Sequence, residues 1–482
     1  MLKRAKARTA RIGIFAVGHA VYWEQFDGLL AKLMEYHGVF ADMLKGSEVE
    51  IVDFGMTDNS EGAYEMAARM REAHLDLLFC NMVTYATSSV FAPIIRNVDV
   101  PLVMVALQPL QAMDYAHANT RMQLENDNVC SMPEFTGVAY RMGKRIADII
   151  IGTLYDDEEA QAEIARWCEI AKVLHDLKGA RVGLMGHVLE SMYDMHADPT
   201  AVSSAFDIHV PLLEIEDVLD VYETVSEAEI EAKKQLILDE FDLPDPKSDP
   251  LTVKLTAADL EQAAKTAVAL DKLVEKFNLS GLAYYYEGQK DSLQRQVATS
   301  FIVGNSILNA QGVPMCGEFD LKTCIAMLIM DRLNIGGSFA EFHPFDLKED
   351  FILVGHDGPH HLKIADGKPV LRSLLKYHGK PGSGASVEFK IKEGPITMLG
   401  ITQKADGSFK FVIGEGYSKK GAIPATGNTN TRGFFEPTTK EFVRAWIMEG
   451  PTHHYALGVG HHAETIKKIG EVLGIESVIV AL

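Results

Sequence analysis

The sequence predicts an α/β protein with two doubly wound parallel-sheet domains, followed by an antiparallel, β-barrel-like C-terminal domain. Two observations point to the parallel sheets: short apolar runs alternate with helical patterns, and this rhythm restarts near residue 180. A third is the change to alternating segments after about residue 332. Because a chain of 482 residues exceeds one ordinary core, at roughly 150 residues per domain, we predict domains at 1–177, 178–332 and 333–482.

The N-terminal domain is predicted from four apolar runs of strand length. They are residues 12–17, 50–54, 75–80 and 101–107, with an amphipathic helical stretch at 64–73. This alternation is typical of β-α-β units and a mainly parallel sheet. We predict that a long helical pattern at 137–154, and a second at 157–177, close the domain.

The central domain shows the same alternation of strand-like runs and helical patterns. Strand-like runs at 180–186, 208–215 and 282–287 surround a helical pattern at 257–277. Residues 240–250 contain three prolines, which predicts a surface loop there.

The C-terminal domain is predicted from segments that alternate between apolar and polar residues. These are residues 387–392, 396–403 and 409–416, separated by glycine-containing turns, and such segments favour antiparallel strands. A helix at 465–473 and a strand at 476–480 are expected to finish the chain.

Composition narrows the class of partner. The formal net charge of −21 disfavours nucleic acid and anionic membranes, and no apolar stretch reaches the roughly 20 residues that cross a bilayer. The basic start lacks an apolar signal-peptide core, and the five cysteines show no CxxC spacing. We therefore expect a cytoplasmic protein without a disulfide framework or a thiolate zinc site.

Two segments that contain carboxylates are candidate functional sites. The first is GEFDLKT at residues 317–323, directly after a strand-like run, where open α/β sheets bind ligands. An equally good reading of Asp320 is a helix N-cap. The second segment carries Glu341 beside Phe339 and Phe342, so this carboxylate needs a partner if it is buried.

Histidines are dense after residue 340. Besides His343 and His356, three pairs occur at 360–361, 453–454 and 461–462. Imidazole and carboxylate ligands suit Mn²⁺, Co²⁺, Fe²⁺ or Zn²⁺, and no HExxH helix is present. For any one of these histidines, a hydrogen-bonded loop or core position is the ordinary alternative.

Taken in order, these segments resemble the metal-site sequence of the L-arabinose isomerases. The resemblance rests on GEFDLKT at 317–323, SFAE at 338–341, the pair at 355–356, and RAWI at 444–447 leading to 453–454. It covers the β-rich C-terminal domain and is weaker over roughly the first 300 residues.

The resemblance implies that Glu318, Glu341, His356 and His454 bind one Mn²⁺ or Co²⁺ ion. His454 is preferred over His462 because the RAWI lead-in places the family's paired histidines at 453 and 454. The same resemblance implies an aldose–ketose isomerase in which Glu318 and Glu341 also move a proton between C1 and C2 of a free sugar through an enediol.

The N-terminal loops depart from the arabinose enzymes. His19 stands where the family has a glutamine, and Cys130 falls near a family histidine. Because of these departures, we expect the substrate to be L-arabinose or, instead of it, a related pentose or hexose. The family's architecture implies a homotrimer or homohexamer in which a neighbour contributes His19, Tyr22 and Tyr85 to the pocket. Tyr286 is a further candidate sugar contact from the central domain, and ordinary packing at strand ends is the alternative for all four.

Two other functions are compatible with paired α/β domains and these ligands. A non-catalytic sugar-binding or sensor protein would use the cleft without the metal-type residues. A metal-dependent hydrolase would use the same ligands to activate water.

Overall fold

A computed structural model describes residues 2–243, 255–358, 360–373, 382–424 and 429–480. The chain forms two compact units, one of Arg8–Asp176 and one of Met1–Ala7 with Leu177–Leu482. The division into three domains stays a prediction. No helix of the described residues is long and apolar enough to span a membrane.

The N-terminal unit is built on a five-stranded parallel sheet with strand order β2-β1-β3-β4-β5. Its strands are β1 (Arg11–Val17), β2 (Glu50–Thr57), β3 (Leu77–Met82), β4 (Leu102–Gln108) and β5 (Asp148–Thr153). Its helices are α1 (Leu29–Leu44), α2 (Ser60–Glu72), α3 (Ala92–Asn97), α4 (Thr120–Glu125), α5 (Met132–Arg141) and α6 (Glu158–Leu177). All six residues of β3, at the centre of the sheet, are buried, and all but Asn81 are apolar, as expected for a parallel strand covered on both faces.

The helix predicted at 137–154 is wrong over most of its length. α5 ends at Arg141, and residues 148–153 form β5, which pairs in parallel with β4 at the edge of the sheet. Three consecutive isoleucines at 149–151 explain the difference, because β-branched side chains favour strands over helices. The second predicted helix, at 157–177, is confirmed by α6.

The second unit begins with a four-stranded parallel sheet of order β7-β6-β8-β9. Its strands are β6 (Val182–Met185), β7 (Leu212–Leu213), β8 (Gly281–Tyr284) and β9 (Met315–Cys316). The helices of this part are α7 (Pro199–Phe206), α8 (Ile215–Glu223), α9 (Glu227–Glu240), α10 (Ala257–Phe277), α11 (Leu293–Thr299), α12 (Ile302–Ala310) and α13 (Leu321–Arg332).

The helix predicted at 257–277 is confirmed by α10, whose start is fixed by a capping box between Thr256 and Asp259. The strand predicted at 208–215 is wrong over most of its length, because only Leu212–Leu213 forms β7 and α8 begins at Ile215. Most of the surface loop predicted at 240–250 lies outside the described residues, which resume at 255.

A closed antiparallel barrel of six strands follows, in the order β14-β17-β10-β11-β16-β15, with β14 and β15 paired to close it. Its strands are β10 (Gly336–Asp346), β11 (Phe351–His356), β14 (Gly394–Gln403), β15 (Phe409–Lys419), β16 (Thr429–Phe434) and β17 (Tyr455–Val459). The remaining elements are β12 (Val370–Ser373), β13 (Ala385–Glu388), α14 (Thr439–Met448), α15 (Ala463–Val472) and β18 (Glu476–Ile479). The predicted fold class is confirmed: parallel α/β sheets precede an antiparallel barrel.

Helix α13 connects the second parallel sheet to the barrel. All of its residues are buried, and it packs against β8, β10 and β17. Three of them carry charge: Lys322 in its first turn, and Asp331 and Arg332 in its last. Because buried charges need partners, both ends of this helix are fixed by specific contacts. The first of these ends lies at the candidate site.

Candidate metal centre

Glu318 lies in a strained turn between β9 and α13. Glu318 and Phe319 both adopt left-handed backbone conformations, with φ of 60° and 62°. Such conformations are uncommon for residues with side chains and concentrate at functional sites. The backbone N–H of Phe319 donates to the carbonyl of Tyr284 at 2.8 Å, so the turn is held against the end of β8.

Asp320 ends this turn and has two roles. Its Oδ1 accepts from the backbone N–H of Thr323 at 3.0 Å, and its Oδ2 accepts from the Thr323 hydroxyl at 2.8 Å. The helix N-cap considered from the sequence is therefore present. The same Oδ2 also accepts a hydrogen bond from Nδ1 of His454 at 3.1 Å, and both side chains are buried. A carboxylate that holds one ring nitrogen in this way directs the other toward a ligand.

The second ring nitrogen of His454 faces Glu318. Its Nε2 lies 3.5 Å from Glu318 Oε2. Both atoms are buried, and neither makes a hydrogen bond to any of the described residues. Buried polar atoms are rarely left without a partner, so this pair fits a site that receives a positively charged ligand.

Glu341 and His356 approach from neighbouring strands of the barrel. In the pairing of β10 with β11, Glu341 stands opposite Gly355. His356 Nε2 lies 3.7 Å from Glu341 Oε1, while its Nδ1 donates to the backbone carbonyl of Asp357. Gly355 is required here because a Cβ would collide with the Thr429 carbonyl of β16. His356, like His454, therefore has one nitrogen fixed by an oxygen and the other directed at a carboxylate.

His454 joins these elements into one cluster. The ligand atoms of Glu341, His356 and His454 lie within 4.8 Å of one another, and so do those of Glu318, His453 and His454. The ring of Phe339 covers the cluster, with centroids 4.6 Å from His356 and 4.2 Å from His454. The structure thus gathers the four residues predicted as metal ligands. Their oxygen and imidazole donors suit Mn²⁺ or Co²⁺.

Burial and neighbouring charges shift the pKa values of these groups in different directions. Burial raises the pKa of Glu318. Burial, together with the nearby His454, holds the pKa of His356 well below its usual range, which keeps the ring neutral as a metal ligand must be. Burial alone would lower the pKa of His454, but its hydrogen bond to Asp320 raises that pKa overall.

Sequence reasoning missed two residues at this cluster. His453 was named only as the first member of a pair, yet it lies with Glu318 and His454. Its backbone N–H and its ring Nδ1 both donate to Asp194 Oδ2, at 3.0 and 2.6 Å. Asp194 precedes His453 by 259 positions, and no motif in the sequence connects them.

Three of the predicted sugar contacts lie together in the N-terminal unit. His19 and Tyr22 follow β1, and Tyr85 follows β3. Their ring centroids are 5.2 to 6.4 Å apart. Because these positions are at the carboxyl ends of parallel strands, where such sheets bind ligands, the three rings form a candidate contact surface.

The fourth predicted sugar contact, Tyr286, and the alternative ligand histidine, His462, lie in the second unit. Tyr286 follows β8, where its side chain packs partly against the apolar core beneath the parallel sheet. His462 is the N-cap residue of α15 and belongs to neither of the two candidate groups found among the described residues.

Comparisons with known proteins find similarity to sugar isomerases over most of the chain. Residues 355–480 match the family model described as the C-terminal domain of L-fucose isomerase. Together with the relatives below, this match supports an enzyme of the aldose–ketose sugar isomerase class.

Several relatives are L-arabinose isomerases. The protein of Aeromonas salmonicida (strain A449) is 22% identical over 414 residues, which cover 83% of this chain and 79% of that protein. The protein of Tolumonas auensis (strain DSM 9187 / NBRC 110442 / TA 4) is 21% identical, with the same coverage of both chains. That of Bacillus subtilis (strain 168) is 22% identical over 77% of this chain and 73% of its own length.

Proposed function

We propose that the protein is a cytoplasmic, metal-dependent isomerase that interconverts a free aldose, L-arabinose or a related pentose or hexose, with its ketose. The observation that carries the proposal is a pair of buried atoms, Glu318 Oε2 and His454 Nε2, that make no hydrogen bond to the described residues and lie in a cluster of carboxylate and imidazole groups. Such a donor set fits one divalent ion. The similarity to L-arabinose isomerases supports the sugar substrate.

The side chains of the cluster are suited to the proton transfers of isomerisation. Conversion of an aldose to a ketose removes a proton from C2 and adds one to C1, through an enediol. Glu318 and Glu341 belong to the two ligand groups that share His454, so one carboxylate can take the proton and the same or the other return it. A bound divalent ion would stabilise the negative charge that develops on the sugar oxygens.

Chelation is expected to abolish turnover, because the proposed ion is the group that would stabilise that charge. Dialysis against EDTA should give an inactive protein, and stoichiometric Mn²⁺ or Co²⁺ should restore activity. The measurement is ketose formation alongside metal content per subunit, with protein carried through dialysis without EDTA as the control. Undiminished isomerisation by metal-free protein would refute metal dependence.

A panel of aldoses separates the proposed function from its alternatives. His19 and Cys130 differ from the residues expected in the arabinose enzymes, so the panel should include pentoses, 6-deoxyhexoses and hexoses. Ketose formation from at least one of them supports the isomerase. Binding without turnover would indicate a sugar-binding or sensor protein, and hydrolysis of a glycoside or ester without ketose formation would indicate a hydrolase.

Assembly into a homotrimer or homohexamer is expected to be needed for activity, since we propose that His19, Tyr22 and Tyr85 contact sugar bound to a neighbouring subunit. Light scattering at assay concentration measures the mass. Mixing inactive Tyr22→Ala and Glu318→Gln proteins tests the sharing directly, because mixed oligomers should regain part of the activity. A fully active monomer, or no recovery after subunit exchange, would contradict this arrangement.

A further inference from the structure

The segment between β6 and α7, residues 186–198, is tied to the candidate metal centre by one carboxylate. Oδ2 of Asp194 accepts both the backbone N–H and the ring Nδ1–H of His453. The side chains of His453 and Asp194 are 38% and 40% exposed. His454, the neighbouring residue, is fully buried. His453 is thus the member of the histidine pair that solvent and a ligand can reach.

This contact fixes the tautomer of His453. A carboxylate only accepts hydrogen bonds, so Nδ1 of the ring must carry the proton and Nε2 holds the lone pair of the neutral ring. The ring centroid of His453 lies 3.8 Å from that of His454, and one of its nitrogens lies within 4.8 Å of the ligand atoms of Glu318 and His454. In the neutral ring, Nε2 can accept a hydrogen bond from a hydroxyl group.

Lys322 fixes the backbone that carries Asp194. Its Nζ donates to the carbonyls of Asp194 and His196, at 2.9 and 3.0 Å, and its side chain is buried. Because a buried ammonium group that loses its hydrogen bonds is costly, these contacts hold the segment in one path. Lys322 lies two residues after Asp320, which holds His454. The first turn of α13 therefore positions both histidines, His454 directly and His453 through Asp194.

We propose that Asp194 is a positioning residue for sugar binding: it holds His453 in the Nδ1–H tautomer, with Nε2 available to a sugar hydroxyl. Residues 187–191 and Tyr193 of the same segment line an open cavity of about 750 Å³ together with Tyr285. This inference rests on the proposed function and adds to it a residue that acts on the sugar and not on the metal.

The test uses Asp194→Ala and Asp194→Asn in the full-length, Mn²⁺-loaded protein. Asp220→Asn, an exposed position on α8, is the matched loss of one negative charge. Asp194→Ala should raise KM for the sugar by about 10-fold, the scale for residues that orient a functional side chain, with a much smaller change in kcat and unchanged metal content. Asp194→Asn should fall between, since its amide oxygen still accepts a hydrogen bond. Partial unfolding would instead lower the apparent kcat at constant KM.

A spectroscopic measurement that does not depend on turnover completes the test. The ¹⁵N shifts of the His453 ring, assigned by difference from a His453→Gln protein, should report the Nδ1–H tautomer in the wild type and its loss in Asp194→Ala. Wild-type KM in Asp194→Ala overturns the proposal, whatever the tautomer. If the wild type turns over no aldose, the proposed function is wrong. The ¹⁵N shifts then test the positioning role of Asp194 by themselves. An unchanged His453 tautomer in Asp194→Ala overturns that role, and a changed tautomer supports it.

Discussion

Glu318→Gln and Glu341→Gln proteins are expected to turn over sugar at least ~100-fold more slowly than the wild type, the usual scale of general acid–base catalysis. Glutamine fills nearly the same volume but cannot take a proton from carbon. The fold should survive, because Glu318 lies in a turn held by backbone contacts and Glu341 is partly exposed at 30%. Steady-state ketose formation, compared with metal content, measures the effect.

Metal content separates the two roles of each carboxylate. A variant that binds Mn²⁺ but does not turn over sugar has lost its proton carrier. A variant that has lost both has lost a ligand. Glu464→Gln, an exposed position in the first turn of α15, is the matched control and should keep its activity. A wild-type rate in either test variant would remove that carboxylate from the mechanism.

His454→Ala is expected to lose metal and activity, while His462→Ala keeps most of both. His454 is fully buried and belongs to both candidate ligand groups. His462 is the N-cap residue of α15, and its backbone N–H donates to the Thr397 hydroxyl. Metal per subunit and ketose formation are the measurements. Metal-replete His454→Ala beside metal-free His462→Ala would show that the fourth ligand belongs to the other histidine pair.

Loss of His454 also leaves Asp320 buried without one of its partners, which costs stability on its own. His454→Gln is therefore the second variant, since its amide can still donate a hydrogen bond to Asp320. If both proteins fold, as judged by circular dichroism and a cooperative melt, loss of metal from both assigns the effect to the missing imidazole. Retention of metal by both would exclude His454 as a ligand.

Errors in the fold prediction came from segments where local preference was ambiguous. Residues 142–154 continue the apolar spacing of α5, but β5 completes a row of parallel strands beside β4. The strand predicted at 208–215 failed for the opposite reason, because a strand-like composition was interrupted by the capping box that starts α8 at Glu214. In the first case a pairing partner distant in sequence, β4, decided the structure, and in the second a local capping box did.

The local sequence by itself determined the alternation of strands and helices, the change to antiparallel strands, and the short motifs containing Glu318, Glu341, His356 and the 453–454 pair. These follow from side-chain periodicity and residue type, which act over a few positions. Only the tertiary structure decided that β14 pairs with β15 to close the barrel, that Asp320 holds His454, and that Asp194 reaches His453 across 259 positions. Such contacts depend on where whole elements meet in space, and periodicity along the chain carries no information about that.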